Sequence, residues 1–224
     1  MRLVTFGCSN TAGEGLEDTY DPVSGNQLID TSKFAWPQLL ADQMNLESVN
    51  VAQGGSSNKQ IAWTIQNFKF QKDDVVIIMW TFPNRWCVIT EPMPSLPPVF
   101  PHENKIGPWM TKKKLKFKDS ISDRYYRSFH NDFDSLVDMY TRIEYISNML
   151  NNLSIKNFHA ACGDKPDVQK FFAWFTTKFL QTTIKDSCID TAADNIHPGA
   201  ASHRLIAEKI HNEIVEKNNE SNLF

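Results

Sequence analysis

The chain has 224 residues and a mass of 25.7 kDa, which suits one α/β domain. Its net charge of −3 gives no general attraction for nucleic acid, and no apolar run approaches the length of about 18 residues that a membrane span requires. Hydrophobic residues make up 41% of the sequence and aromatic residues 12%, which is enough for a substantial core. We therefore expect no nucleic-acid partner and no insertion into a membrane.

The cysteines are scattered and show neither the spacing of a zinc site nor that of a disulfide framework. They are Cys8, Cys87, Cys162 and Cys188. We expect free thiols in a reducing compartment, with no metal and no cofactor. The N-terminus leads directly into a strand pattern and lacks the charged and apolar segments of a signal peptide. The expected location is cytoplasmic, and later association with a virus particle stays open.

The first strand and the turn after it open the chain. Residues 3–6 form a short apolar run that ends at Gly7, which is typical of a buried central strand. Ser9 follows at the carboxyl end of this strand, where open α/β sheets bind their ligands. Ser9 is therefore a candidate nucleophile, although a serine in an ordinary polar loop fits the same pattern.

The loop from 10 to 32 is rich in glycine and in acids. Its acidic residues include Glu14, Glu17, Asp18 and Asp21. This loop either lines the pocket of Ser9 or forms a solvated surface. Residues 32–44 then predict a helix, in which Pro37 is acceptable only near the first turn and Trp36 belongs to the core.

A second strand over 48–52 leads into the glycine pair Gly54–Gly55 and a further helix. The expected buried positions of that helix are Ile61, Ala62, Ile65 and Phe68. Paired glycines let the backbone approach a ligand closely, and the free N–H groups at a helix start favour negative charge. These are the requirements of an oxyanion hole, but an ordinary glycine-rich turn has the same sequence.

Residues 74–80 predict a third buried strand, and the connection after it is too long for a plain loop. This insertion, at about 82–131, is rich in proline and aromatic residues. We interpret it as a lid, a glycan platform or an oligomer contact. Its lysine run between 112 and 118 is interpreted as a solvated face rather than a nucleic-acid site.

The C-terminal half continues the alternation of helices and strands. A helix is predicted over 132–150, a strand over 155–162 and a helix from 168 to 179. His159 lies in that strand and is expected to be a buried structural residue. Residues 188–189 are either a fifth short strand or a loop, and the last helix begins near Pro198. This order predicts a parallel sheet with helices on both faces.

Asp194 and His197 stand three residues apart in a turn before the last helix. A serine hydroxyl needs a base to remove its proton, and a histidine base needs a third group to fix its tautomer. A turn of this spacing can direct the carboxylate to one ring nitrogen and leave the other free for a serine. Alternatively, Asp194 caps the helix and His197 is an exposed turn residue.

Together these stretches resemble the SGNH hydrolases, also called the GDSL esterase/lipase superfamily, in the same order along nearly the whole chain. The matching blocks are residues 7–11 around Ser9, residues 50–58 around Gly55, and residues 194–197. Gly-Cys-Ser in place of Gly-Asp-Ser is similar to phage-encoded and marine bacterial members. The resemblance implies a three-layer α/β/α sandwich with a five-stranded parallel, flavodoxin-like sheet, formed by residues 1–224 as a single domain.

One block departs from the family pattern. After the third strand the family has Gly-x-Asn-Asp, whose asparagine donates to the oxyanion, whereas Phe82 stands at that place here. We expect the Phe82 ring to be a wall of the pocket beside the serine. Asn84, two residues later, and Asn58, after the glycine pair, are the candidate replacement donors. The loss of one oxyanion donor typically costs about 10²–10³ in rate.

The resemblance implies a serine ester hydrolase with Ser9 as nucleophile, His197 as base and Asp194 as its orienting carboxylate. The backbone N–H groups of Ser9 and Gly55 would hold the oxyanion, joined by Asn84. We expect the Ser9 hydroxyl near one ring nitrogen of His197, and Asp194 near the other. The expected substrate is a small ester or an O-acetylated glycan, and the oligomeric state stays open. The alternative is a non-catalytic binding or virion-associated structural protein on the same fold.

Overall fold

The computed structural model describes residues 1–28, 31–89, 103–106, 126, 128–163 and 175–221. The strands in this part of the chain are β1 (Arg2–Phe6), β2 (Tyr20–Asp21), β3 (Asn26–Gln27), β4 (Glu47–Asn50), β5 (Val75–Trp80), β6 (Trp86–Ile89), β7 (Glu103–Ile106), β8 (Lys156–Ala161) and β9 (Phe179–Thr183). The helices are α1 (Ser9–Ala12), α2 (Trp36–Gln43), α3 (Asn58–Gln66), α4 (Asp132–Asn152) and α5 (Ala200–Ser221), with a 3₁₀ helix at Lys185–Ser187.

The central sheet has five strands in the order β4-β1-β5-β8-β9, and every neighbouring pair is parallel. This confirms the predicted α/β fold with a five-stranded parallel sheet. The strand order reverses at β1, which lies between β4 and β5. In sheets of this flavodoxin-like order, ligands bind outside the carboxyl ends of the strands where the order reverses. The fold therefore directs attention to the residues that follow β1 and β5.

Helices cover both faces of the sheet, as the sequence predicts. Alternate residues of a strand point to opposite faces, so Val4 of β1 joins one core with α3 and α4, whereas Leu3 joins another with α2 and α5. All residues of β5 are buried, as expected for a central strand between two helical layers. Trp36 is fully buried in the second core, which confirms its assignment to the protein interior.

The helix predicted from 168 to 179 is wrong at its end. Residues 164–174 lie outside the described residues, and Phe179 begins strand β9 at the edge of the sheet. The spacing of four between Phe175 and Phe179 resembles a helical period, but residues 175–178 belong to no helix, and the two rings stack with their centroids 6.1 Å apart. The fifth strand is thus β9, and residues 188–189 belong to a loop.

Part of the insertion at 82–131 is a β-hairpin, because β6 and β7 pair in antiparallel fashion. Its lysine run lies outside the described residues, so the roles predicted for the insertion stay predictions. Across the part of the chain that the structure covers, none of the helices combines the length and the apolar character that crossing a bilayer requires.

Candidate active site

Ser9 lies immediately beyond the carboxyl end of β1, as the first residue of the short helix α1. Its carbonyl oxygen accepts hydrogen bonds from the N–H groups of Gly13 at 2.9 Å and Glu14 at 3.1 Å. Gly13 adopts the left-handed conformation that ends the helix, with φ 79°. Ser9 is only 3% exposed. This tight turn therefore holds the serine at the edge of the sheet where the strand order reverses.

Asp194 and His197 form a hydrogen-bonded turn before α5. One carboxylate oxygen of Asp194, Oδ1, accepts the backbone N–H groups of Ile196 at 2.9 Å and His197 at 3.0 Å. The other oxygen, Oδ2, lies 2.5 Å from Nδ1 of the His197 ring. Burial opposes ionisation of Asp194, but the His197 ring and these N–H groups outweigh it and lower the pKa of the carboxyl group. Asp194 is thus an ionised carboxylate that fixes the orientation of the imidazole.

The loop after Ser9 packs directly on this turn. Gly15 has φ 85°, and a Cβ atom on it would lie 2.5 Å from Cγ of Asp194. The N–H group of Ala193 also donates to the carbonyl oxygen of Gly15 at 3.0 Å. Residues near the two ends of the sequence therefore meet at one place, and a side chain at position 15 would occupy the space of the Asp194 carboxylate.

The second ring nitrogen of His197, Nε2, faces the carboxylate of Glu14, with 3.7 Å between Nε2 and Oε2. Among the described residues, no hydrogen bond joins Ser9 Oγ to His197. The structure thus places Asp194 at one nitrogen of the imidazole and Glu14 at the other. A direct contact between Ser9 and His197 stays a prediction.

The turn that contains Gly54 and Gly55 is tied to the end of β1, because the N–H group of Gln53 donates to the carbonyl oxygen of Gly7 at 3.3 Å. Gly55 has φ 69°, a conformation that favours glycine. The turn ends at Ser57, whose side chain accepts the N–H group of Gln60 and caps α3. The backbone of the candidate oxyanion site is therefore fixed at both ends.

Asn58, at the start of α3, connects this turn to the end of β5. Its side-chain oxygen accepts the N–H group of Thr81 at 2.9 Å, and its side-chain nitrogen donates to the Thr81 carbonyl oxygen at 3.1 Å. The residue is 3% exposed. Its amide is thus occupied in joining two segments, a role that the sequence alone does not reveal.

We predict that Asn58→Ala destabilises the protein by about 2 kcal/mol, because it leaves buried backbone groups of Thr81 without partners. For a chain of this length that corresponds to a fall in Tm of about 4–8 °C in thermal unfolding. The matched control is Asn67→Ala, which removes an exposed amide bound to the carbonyl oxygen of Trp63 and is expected to cost less than about 0.5 kcal/mol. Equal Tm values for the two variants would contradict this role.

Phe82 and Asn84 follow β5 in the block that departs from the SGNH pattern. The Phe82 ring is 41% exposed and packs on Gly163, where an added Cβ would lie 3.2 Å from it. The ring lines a cavity of about 480 Å³ together with Tyr140 and Lys185. Phe82 is thus a cavity wall at the carboxyl ends of β5 and β8, and its position relative to Ser9 stays a prediction.

Asn84 lines a second cavity, of about 400 Å³, together with Arg85 and Asp138. Its carbonyl oxygen accepts the hydroxyl group of Tyr126 at 2.6 Å, and its side-chain amide makes no hydrogen bond within the described residues. No described contact joins Asn84 to Ser9 or Gly55. The structure therefore brings Asp194, His197 and the loop after Ser9 together, and the approach of Asn84 to this group stays a prediction.

Comparisons with known proteins give structural matches but no sequence match. No protein-family model and no curated protein matches the chain. A protein assigned to the G-D-S-L lipolytic family from Desulfitobacterium hafniense DCB-2 superposes with a TM-score of 0.50 at 13% identity, covering 95% of this chain and 98% of that one. An acetyl xylan esterase, Est2A, from Butyrivibrio proteoclasticus has a TM-score of 0.57 at 13% identity, covering 97% of this chain and 64% of that one.

A protein classed as an arylesterase, from Agrobacterium tumefaciens str. C58, also matches, with a TM-score of 0.51 at 11% identity over 96% of this chain and 98% of that one. The chain has the fold of the G-D-S-L lipolytic proteins. This confirms the SGNH fold that the sequence predicts. At these levels of identity the likeness establishes the fold, and the chemistry has to be argued from the residues of this chain.

Cys8, the residue before the candidate nucleophile, points into the protein. It is fully buried, with its sulfur atom 3.8 Å from that of Cys162. The hydrogen bond to Cys162 lowers the pKa of Cys8, whereas that bond and burial raise the pKa of Cys162. The Cys8 sulfur is thus enclosed within the protein.

His159, in strand β8, has a structural role. His159 is buried, accepts the indole N–H group of Trp80 at 3.0 Å and contacts Asn157 at 2.9 Å. Burial lowers the pKa of His159 to about 3, so the ring is neutral. This confirms its expected role as a buried structural histidine. Within the described residues, no group of three or more His, Cys, Asp or Glu could hold a metal ion.

Sequence reasoning missed the position of Glu14, which it treated only as one acid of a loop. Glu14 is one of several acids there, and nothing in the spacing separated it from Glu17 or Asp18. Glu14 follows Gly13, whose left-handed conformation ends α1, and the turn brings Glu14 toward His197. Only the position of His197 in space makes that consequence visible.

Proposed function

We propose that the chain is a serine ester hydrolase, in which Ser9 is the nucleophile, His197 the general base and Asp194 the residue that orients His197. The observation that carries the proposal is the contact of the Asp194–His197 pair with the loop after Ser9. Asp194 binds Nδ1 of the ring, and its carboxylate packs against Gly15, six residues after Ser9. The base and its orienting carboxylate are thereby held close to the serine turn.

The proposed reaction follows from these positions. With Nδ1–H donating to Asp194, Nε2 of His197 is the proton acceptor. Ser9 Oγ attacks the ester carbonyl carbon while its proton passes to Nε2, and the carbonyl oxygen becomes an oxyanion. The same proton then passes to the leaving alcohol as the ester C–O bond breaks. A water molecule then attacks the acyl carbon while His197 takes its proton, and that proton passes to Ser9 Oγ as the acyl–Oγ bond breaks and the acid is released.

The oxyanion requires donors that are already in place. We propose the backbone N–H groups of Ser9 and Gly55, because both follow the carboxyl ends of neighbouring strands, β1 and β4. Asn84 is the proposed third donor. Its side-chain amide makes no hydrogen bond within the described part of the chain, so no described bond would be lost if it turned toward the ester.

We predict that Asn84→Ala lowers kcat by about 10²-fold with little change in KM, because an oxyanion donor acts mainly in the transition state. The measurement is steady-state hydrolysis of p-nitrophenyl acetate. Asn26→Ala, in the exposed β3 strand, is the control and is expected to leave kcat unchanged. An unchanged kcat in Asn84→Ala would leave a site with two backbone donors, which can still support acyl transfer.

The proposed substrate class is an O-acetyl ester of a glycan. Two observations support it: the aromatic residues of the insertion at 82–131, and the acetyl xylan esterase among the proteins of similar fold. The test compares release of acetate from acetylated xylan and from p-nitrophenyl acetate by the same preparation. Turnover of p-nitrophenyl acetate alone would retain the esterase and exclude this glycan.

A non-catalytic binding or structural protein is the second candidate. The specific observation in its favour is Phe82, which has no donor at the place where the family carries its asparagine. Under this alternative the purified protein hydrolyses no small ester, and Ser9→Ala changes nothing measurable in an esterase assay. Turnover that disappears in Ser9→Ala would exclude it.

A further inference from the structure

Glu14 lies at the centre of the candidate active site. Its Oε2 atom is 3.7 Å from Nε2 of His197, the nitrogen to which the proposed mechanism assigns the proton of Ser9. Its Oε1 atom is so close to Gly54 that a Cβ atom on that glycine would lie 1.4 Å from it. The carboxylate thus lies between the base and the glycine turn of the proposed oxyanion site.

The backbone keeps Glu14 in this place. Its N–H group donates to the carbonyl oxygen of Ser9 at 3.1 Å, and it lies between Gly13 and Gly15, both of which have positive φ. On the opposite side Gly54 has no side chain, so the carboxylate can lie directly against the turn. The Glu14 side chain is 22% exposed, and solvent therefore reaches it at the mouth of the site.

A carboxylate at this position would interact with any ligand that binds beside His197. An ester within reach of His197 Nε2 would lie a few ångströms from Glu14 Oε2, because these two atoms are only 3.7 Å apart. A negative group on the ester would meet the carboxylate of Glu14, and like charges a few ångströms apart repel by about 1–4 kcal/mol, depending on solvent screening. A hydroxyl or ammonium group would instead donate a hydrogen bond to Glu14. Discrimination by an unfavourable contact of this kind is a common source of specificity.

We propose that Glu14 is a specificity-determining residue, which accepts hydrogen bonds from the alcohol part of the ester and excludes anionic esters. The predicted effect on ester hydrolysis rests on the proposed function. The substrate class it names is the ester of a polyhydroxylated or cationic alcohol. A glycan hydroxyl next to an O-acetyl group belongs to that class, whereas an ester of an acidic sugar or a hydroxy acid does not.

The test compares wild type with Glu14→Gln, which keeps the size of the side chain and removes its charge. The substrates are acetylcholine, its neutral analogue 3,3-dimethylbutyl acetate, glycerol monoacetate and O-acetylglycolate, and the readout is kcat/KM for release of acetate. Relative to the neutral analogue, Glu14→Gln is expected to raise the value for O-acetylglycolate and lower that for acetylcholine, each by about tenfold. A tenfold change corresponds to about 1.4 kcal/mol.

Glu17→Gln is the matched control, because it makes the same change three residues away on the exposed part of the loop. It is expected to leave these ratios unchanged. Unchanged ratios in Glu14→Gln would overturn the proposal, and equal changes in both variants would do so as well, because they would reflect net charge alone.

A second readout does not depend on turnover. Binding of acetate, followed through the NMR signals of the His197 ring, is expected to be about tenfold tighter in Glu14→Gln than in wild type. If no ester is hydrolysed but acetate shows this difference, the esterase function is wrong and Glu14 is still a charge filter. Equal affinity for acetate in the two proteins overturns the proposal for Glu14 whether or not the protein is an esterase.

Discussion

Ser9→Ala is expected to lower kcat for p-nitrophenyl acetate by about 10⁴–10⁶-fold, the largest effect of any single substitution in the chain. Without its hydroxyl group the turn at the end of β1 offers no nucleophile, because the neighbouring Cys8 sulfur is fully buried. The residual rate reflects binding and oxyanion stabilisation, which survive the loss of a catalytic serine in such sites. Circular dichroism and Tm should match those of wild type.

His197→Ala is expected to cost nearly as much as Ser9→Ala, and the double variant no more than either. Nucleophile and base act as a unit, so their effects do not add. Asp194→Asn should be less severe, at up to about 10⁴-fold, because the ring keeps its position although a carboxylate no longer fixes its tautomer. If Ser9→Ala retained full activity, the chemistry would belong to another residue, and Cys8 would be the first to examine.

Gly15→Ala is expected to lower kcat by about 10³-fold, although position 15 carries no side chain in the native protein. A Cβ atom there would lie 2.5 Å from Cγ of Asp194 and would displace the carboxylate from His197. Disturbing the orienting carboxylate of a serine triad typically costs up to about 10⁴ in kcat. The left-handed backbone adds about 1–2 kcal/mol of destabilisation. Kinetics on p-nitrophenyl acetate and thermal unfolding measure the two effects separately.

Gly25→Ala is the control that separates the effect of backbone strain from the effect of displacing the Asp194 carboxylate. Gly25 has φ 71°, so alanine meets the same backbone cost, but an added Cβ would have its nearest neighbour, the Tyr20 hydroxyl, at an ordinary 3.8 Å. We expect Gly25→Ala to lose stability and keep its activity. A loss of turnover in Gly25→Ala that equals the loss in Gly15→Ala would mean that strain in the loop, rather than the position of Asp194, accounts for the effect.

The layers of the fold could be predicted from the sequence because the patterns that encode them are local. The continuous apolar run of β5 marks a strand buried on both faces, and the three- and four-residue spacing of α4 marks an amphipathic helix. Strand β9 could not be found in this way. Phe175 and Phe179 are spaced like a helix, but the two rings stack on each other, and Phe175 is buried against Tyr140. Whether such a segment forms a helix or a strand depends on its contacts with distant segments.

The candidate site was predictable only where a short motif carries its own geometry. Asp194 and His197 belong to one turn, so their spacing already places the carboxylate near the ring. Glu14 and Asn58 act across segments that are distant in the sequence, toward His197 and Thr81. The neighbouring sequence does not distinguish a loop residue exposed to solvent from one that contacts a distant segment. The roles of Glu14 and Asn58 therefore became visible only in the three-dimensional structure.

The most direct test of the central claim is covalent trapping of the nucleophile. Wild-type protein is treated with a fluorophosphonate, and peptide mass spectrometry locates the adduct. The account predicts one phosphonyl group on Ser9, formed in wild type but not in Ser9→Ala, and strongly slowed in His197→Ala because the hydroxyl group is no longer activated. An adduct on another residue in a protein that hydrolyses p-nitrophenyl acetate, or no adduct on Ser9 under conditions of full turnover, would contradict it.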